Sequence, residues 1–372
     1  MIELVKFELK KIFEKKIIYL LALGVALFIV LPGASSFGNR EQMKAFATEF
    51  EGDKYTVEKF QEEMKTVDKK IENEEELTDR ESFIREYMVY SYPRSNEASY
   101  FVLEGKYTHS EIKEELNKLE QGTYKYNVFK QADEMISKLP KVEYKYTGAW
   151  NSMNDFNVAG TMKLMLLVLG LAGIFSSEYA ENTAQLLLST KNGRRKVTGA
   201  KILAGVIYAC SVFVFVSVLY TIEPMIVGLE NGNLPLRNLV KFSGTPYDIT
   251  IIQYYIVTLG ISFVGTIIFA LAIMLVSLLV KNNMISMATG LGLYFIPSLL
   301  IGLPLPEMIQ NFINRLSFAE LLRAATVFDE YVTFNIFGNA VLYPYMIVIT
   351  MIVLLMVGLI AIYKFGKSQR LC

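Results

Sequence analysis

Ile251 to Val280 reads IIQYYIVTLGISFVGTIIFALAIMLVSLLV and holds no Asp, Glu, Lys or Arg. About 20 apolar residues in a helix cross a hydrocarbon core of about 30 Å, and the helix satisfies its own backbone amides there. A run of this kind limits the chain to folds built in lipid. Five further runs have the same character: Ile17–Leu31, Val158–Ser176, Ile202–Gly228, Met284–Leu303 and Val341–Tyr363. The pattern predicts an all-α polytopic membrane protein with six transmembrane helices.

Charge is segregated from these runs. Residues 35–157 hold 18 Lys/Arg and 25 Asp/Glu, so a sizeable polar domain is inserted between the first two spans. The short connections are basic instead. Lys6, Lys10, Lys11, Lys15 and Lys16 precede the first span. Lys191, Arg194, Arg195, Lys196 and Lys201 lie between the second and third, Lys281 between the fourth and fifth, and Lys364, Lys367 and Arg370 after the last. If six spans alternate, these 14 basic residues share one side with only Glu3, Glu8, Glu14, Glu178 and Glu181. Basic short loops stay in the cytoplasm, so both termini are expected there, in a cell membrane. The expected order is an amphipathic interfacial helix over 1–16, a first span over 17–33 and an extracellular helical domain over 34–157. Spans two to six follow over 158–364, then a cytoplasmic tail over 365–372. The basic start, apolar core and small residues Gly33–Ser36 also fit a cleaved signal peptide. The long amphipathic lead-in, with Ile2, Val5, Leu9 and Ile12 at helical spacing, favours an uncleaved anchor.

Within the polar domain, Thr78–Glu81 (TDRE) and Thr108–Glu111 (THSE) are capping-box patterns. Gly122 stands where a left-handed C-cap is expected after EIKEELNKLEQ. Tyr124, Tyr126, Tyr144, Tyr146 and Trp150 approach the second span and are expected at headgroup level. The domain reads either as a solvated cap or as a surface for substrate or partner. The acidic run Glu72–Glu76 lacks the glycine and ligand spacing of a calcium loop and reads as a solvated helix end. His109 is the single histidine, which leaves no material for a His-based metal site or triad. Cys210 and Cys372 make no disulfide framework. No metal site is expected.

Three polar features touch the spans. Lys163 and Glu223 lie in the second and third, towards their outer ends, and are expected to pair or to snorkel. Gly366-Lys367-Ser368 has the end of a phosphate loop, but Ala361 stands where the loop needs its first glycine, and no strand precedes it. It reads as an anchor for the last span. The third feature is the connection over 177–201. Glu178–Thr190 is a helix candidate whose Leu186, Leu187 and Leu188 stand out in polar surroundings. Asn192-Gly193 makes a turn and Arg194, Arg195 and Lys196 lead into the next span. A leucine triplet on the cytoplasmic side should be buried by lipid or by a partner.

An acidic residue after the second span, a polar residue with Thr, a Leu-Leu element, Ser, Arg and a Lys at the next span form a familiar series. Here they are Glu178, Asn182-Thr183, Leu187-Leu188, Ser189, Arg194 and Lys201, with Asn182 where glycine is commoner. The chain thereby resembles the permease subunits of the ABC-2-type transporter family. The resemblance extends to the amphipathic start, the inserted domain and the stretch EMIQNFINRLSFAELLRAATVF before the last span. That stretch, within 305–340, resembles short re-entrant or interfacial extracellular helices.

The resemblance implies the membrane subunit of a bacterial type-2 exporter, with no ATPase motifs of its own and no cofactor bound by this chain. ATP and Mg would sit on a separate cytoplasmic ABC ATPase. Glu178, Glu181, Asn182, Thr183, Leu186, Leu187, Leu188, Arg194, Arg195 and Lys201 would form the hairpin that docks on it. A second permease subunit, identical or not, would complete the transporter. Lipid is its surroundings, and no nucleic acid is involved. Exported substrates would be amphipathic: antimicrobial peptides, drugs, lipids or envelope compounds. The alternative is a sensing or resistance module, whose outer domain captures such a compound and signals through the coupled ATPase. An ion-driven carrier would need more buried carboxylates than Glu223 supplies.

Overall fold

A computed structural model describes residues 1–33, 40–51, 56–85, 99–103, 105–140, 142, 145–153, 157–181, 196–300 and 303–368. The first part holds α1 (Ile2–Phe13), α2 (Lys16–Gly33), α3 (Arg40–Glu49), α4 (Val57–Glu72) and α5 (Asp79–Phe83). Then come β1 (Ser99–Val102), β2 (Gly105–Thr108), α6 (His109–Lys118), α7 (Tyr124–Ile136) and α8 (Trp150–Met153). The rest comprises α9 (Asn157–Leu171), α10 (Ser176–Ala180), α11 (Thr198–Val227), α12 (Ile251–Val280) and α13 (Asn283–Leu300). It closes with α14 (Glu307–Arg315), α15 (Phe318–Arg323), β3 (Thr333–Ile336), β4 (Asn339–Leu342) and α16 (Tyr343–Ser368).

Among the described residues, five largely helical stretches are long and apolar enough to cross a membrane: Val158–Ala180, Thr198–Ile226, Ile251–Val280, Asn283–Leu300 and Tyr343–Gly366. The run expected as the first span, Ile17–Leu31, lies in a shorter apolar helix, Lys16–Leu31. The last span starts later than expected because Val341 and Leu342 belong to β4. α12 begins with a capping box between Thr250 and Gln253 and is the central helix, packed on α11, α13, α15 and α16.

The chain is mostly helical rather than all-α, because two antiparallel hairpins are present. In β1–β2, Tyr100 and Val102 turn inward while their neighbours turn outward, the alternation a half-buried strand requires. β3 and β4 are joined by Phe337 and Gly338, both at positive φ, a two-residue turn matched to the strand twist. The stretch expected as helix over 305–340 is therefore two short helices followed by a hairpin.

The inserted domain does not bury one core of its own. Ala47, Phe50, Phe60, Phe83 and Ile84 cluster with Tyr146. Val102, Ile112, Val128 and Phe129 join a second cluster with Leu236, Phe242, Tyr254, Phe328, Tyr331 and Tyr343. Residues 99–136 thus share their core with the 229–250 connection and the segment before α16. Both capping boxes form, with Thr78 accepting from Glu81 N–H and Thr108 from Glu111 N–H. Gly122 takes positive φ but lies in the turn before α7, since α6 already ends at Lys118.

The aromatics expected at headgroup level are partly interior. Trp150 is buried edge-on to Tyr255, Tyr146 is buried, and the Tyr124 hydroxyl bonds the Thr333 hydroxyl at 2.9 Å. Tyr144 lies outside the described residues. Large rings fill the seam between domain and spans better than small residues, and packing claims them first.

Candidate functional site

The described parts of the basic connections lie together at one end of the bundle. The Lys281 ammonium lies 4.8 Å from the centre of the Tyr179 ring. Gly366 of α16 faces Thr198 at the start of α11. α1 packs along the first turns of α11, with Val5 against Ala200 and Ala204. Positions 5, 8 and 12 make the buried face of α1, so helical spacing puts Glu8 inside the apolar stripe.

Glu8 is inside because cations meet it. Glu178, in the first turn of α10, accepts the Lys201 ammonium of α11 at 2.7 Å. Lys201 also lies 3.5 Å from Glu8. Lys11 bridges the two acids, at 3.3 Å from each. Two acids and two ammonium groups thus make a neutral network, and the Lys201 side chain is only 2% exposed. Moving a charge of this size from water costs several kcal/mol, so such groups are tolerated only when paired. Lys201 donates further to the Ile174 carbonyl and lies 5.2 Å from the centre of the Phe175 ring.

Of the predicted hairpin, Glu178, Glu181 and Lys201 are described. The structure brings Glu178 and Lys201 together and leaves Glu181 exposed at the end of α10. Asn182, Thr183, Leu186, Leu187, Leu188, Arg194 and Arg195 lie outside the described residues. Sequence reading assigned Glu8 and Lys11 to topology alone. The overlooked signal was an acid on the apolar face of an amphipathic helix with a lysine three residues on.

Lys163 is buried in α9, and its ammonium donates to the Ser262 hydroxyl and the Leu322 carbonyl. Leu322 lies in the last turn of α15, where free carbonyls and the helix dipole favour a cation. Ser262 donates to the same carbonyl at 2.6 Å. α15 sits directly on α12, because a Cβ at Gly265 would stand 2.1 Å from the Leu321 carbonyl oxygen. Glu223 lies in α11, and its side chain is outside the described ones. Lys163 thus finds partners that spacing along the chain could not reveal.

Beyond α15, Arg315 bonds Glu330 at 2.6 Å, Asp329 at 3.2 Å and the Thr326 carbonyl at 3.2 Å. Glu320 accepts from the Thr326 amide at 2.8 Å and hydroxyl at 2.7 Å. Burial pushes the Asp329 carboxyl up to about 6 in spite of Arg315. Burial also raises Glu320, against its bonds to Thr326. The carboxylates outnumber the cations that reach them, which leaves Asp329 under-compensated.

Among the described residues no group of three or more His, Cys, Asp or Glu is placed to hold a metal. His109 meets Asp133 at 2.7 Å and Ser137 at 3.3 Å, both through Nε2. A relay needs the acid and the hydroxyl on opposite ring nitrogens. Gly366 lies inside α16, in no phosphate-binding loop.

The ABC-2 family transporter protein family matches residues 2–369. The chain belongs to this family. An ABC-2 permease is a multi-pass membrane protein that works with an ABC ATPase, and transport is its role. Comparisons with curated proteins and with solved structures returned no match. For an ABC-2 permease, the ion network marks where the segment between the second and third predicted spans is rooted.

Proposed function

We propose that this permease is the membrane half of an ATP-driven exporter, and that its 177–201 hairpin is the docking element for a separate ATPase. The observation that carries this reading is the network joining Glu178 and Lys201, at the two roots of the hairpin, to Glu8 and Lys11 of α1. A hairpin rooted this way moves as one body with α1 and the first turn of α11. The leucines Leu186, Leu187 and Leu188 anchor it in a groove of the ATPase, and Arg194 and Arg195 meet acidic groups there.

Nucleotide binding draws two ATPases together and pulls the hairpins with them. The transporter shifts outward because nucleotide binds the closed state more tightly, the only way a ligand can drive such a shift. Two permease subunits face each other in a cell membrane, with Lys16–Leu31 as a sixth span and both termini in the cytoplasm. An amphipathic compound is exported between them.

Co-purification from native membranes tests the docking. Leu187→Asp should abolish recovery of the ATPase with the permease, and undiminished recovery would overturn the role given to the leucines. ATP-dependent uptake of an amphipathic dye into inverted vesicles tests export, and uptake equal to that of vesicles lacking the permease would overturn it.

A further inference from the structure

The second span is not one continuous helix. α9 ends at Leu171, residues 172–175 form turns, and α10 starts at Ser176. The local sequence, Gly170 to Ser177, is GLAGIFSS, and small residues of this kind lower the resistance of a helix to breaking. A break frees backbone groups, and each one left unsatisfied in lipid costs several kcal/mol.

Side chains from three other elements fill these groups. The Lys15 ammonium, between α1 and α2, donates to the Gly170 carbonyl at 3.0 Å and the Leu169 carbonyl at 3.4 Å. Ile174 N–H donates to Leu171, three residues back, at 3.0 Å. The Ser277 hydroxyl of α12 accepts from both Phe175 N–H and Ser176 N–H, each at 3.1 Å. The Ser176 hydroxyl returns a bond to the Ala172 carbonyl at 2.9 Å. Lys201 takes the Ile174 carbonyl. The α9 half packs on α1, α2, α11, α12, α13 and α15, while α10 packs on α12 and α13 and is tied to α1 and α11 through Glu178.

A straight helix through these residues would need neither two lysines nor a buried serine. From this arrangement we infer that Ala172–Phe175 is a joint in the second span, and that Lys15, Lys201 and Ser277 are its positioning residues. Lys201 belongs to both the joint and the ion network at the hairpin root, so a displaced hairpin reaches the Ile174 carbonyl through a single side chain. The joint bends there, and the α9 half, which carries Lys163 against α15, changes its tilt. The inference rests on the hairpin being the moving input, yet its test uses the permease alone, so its failure is separable from failure of ATPase docking.

The test uses full-length permease in lipid nanodiscs, with Cys210→Ala and Cys372→Ser removing the native thiols. Spin labels at Met165→Cys and Ala180→Cys, diluted with unlabelled protein, report the distance across the joint, and amide exchange reports its hydrogen bonds. Ser277→Ala should speed exchange at Phe175 and Ser176 about fivefold, the effect of losing a bond worth about 1 kcal/mol. It should also widen or shift the 165–180 distance, and Ser277→Thr, which keeps the hydroxyl, should restore both. Glu178→Gln, at the hairpin root, should shift the same distance. A purely structural serine would leave that response unchanged. A distribution as narrow in Ser277→Ala and Glu178→Gln as in the parent protein overturns the joint. If Ser277→Ala does not fold, Lys15→Met takes its place, with a wider or shifted distance expected and an unchanged one overturning the proposal.

Discussion

Lys201 and Glu178 stand on either side of the 181–197 connection and meet at 2.7 Å, away from solvent. Their contact closes the connection into a loop with a fixed base, and Glu8 and Lys11 tie that base to α1. Removing one partner of a buried pair typically costs about 3–5 kcal/mol, because the other charge is stranded. Lys201→Met and Glu178→Gln should each lower the unfolding temperature of the purified permease clearly. The double substitution should cost much less than the two together. Additive losses would show that the pair is not the base of the loop.

The seat of α15 depends on the absence of a side chain at Gly265 more than on the charge of Lys163. With alanine, Cβ meets a backbone oxygen at 2.1 Å, and backbone cannot turn aside as a side chain can. Gly265→Ala should displace α15 and raise maleimide labelling of Ala319→Cys, a buried position on that helix. Lys163→Met should leave labelling low, since the Ser262 hydroxyl still serves the Leu322 carbonyl. The reverse order of labelling would overturn this account.

Asp329 supplies a pH dependence. Its folded pKa, about 6, lies above the ordinary aspartate value, so the folded protein binds this proton more tightly than the unfolded chain. The contribution of Asp329 to stability is therefore greatest below about pH 4 and is lost as pH rises through about 6. Asp329→Asn removes the buried charge. It should raise stability at pH 7.5 by on the order of 1–3 kcal/mol and flatten the dependence between pH 4 and 6. Unfolding temperatures across that range check it, and an unchanged slope counts against it.

The capping boxes predict smaller, local losses. Thr108→Ala should cost about 1 kcal/mol, felt as faster amide exchange in α6, with little change in α12. Thr78→Ala should do the same in α5, which is short and has less packing to hold it.

Much of this protein is legible from local pattern. Hydropathy locates α11 and α12 within a few residues, since lipid imposes the same demand on every position of a span. Thr78, Thr108 and their glutamates act within one helical turn, so four consecutive residues suffice to find the caps. The family series likewise pointed to Glu178 and Lys201. The hairpins escaped notice because β1 to β4 are four residues each, too short for alternation to stand out beside helical runs.

Hydropathy and charge pattern were enough to establish a polytopic membrane protein and its basic connections, and the series running from Glu178 to Lys201 carried the resemblance to ABC-2 permeases. Three-dimensional packing assigned the partners of the buried charges. Glu8 faces Lys201, Lys163 serves a carbonyl of α15, and Lys15 fills the broken turn after α9. The physical reason is range. The cost of burying a charge is evident from the residue alone, whereas the group that offsets it comes from whichever distant helix packing brings within about 3 Å.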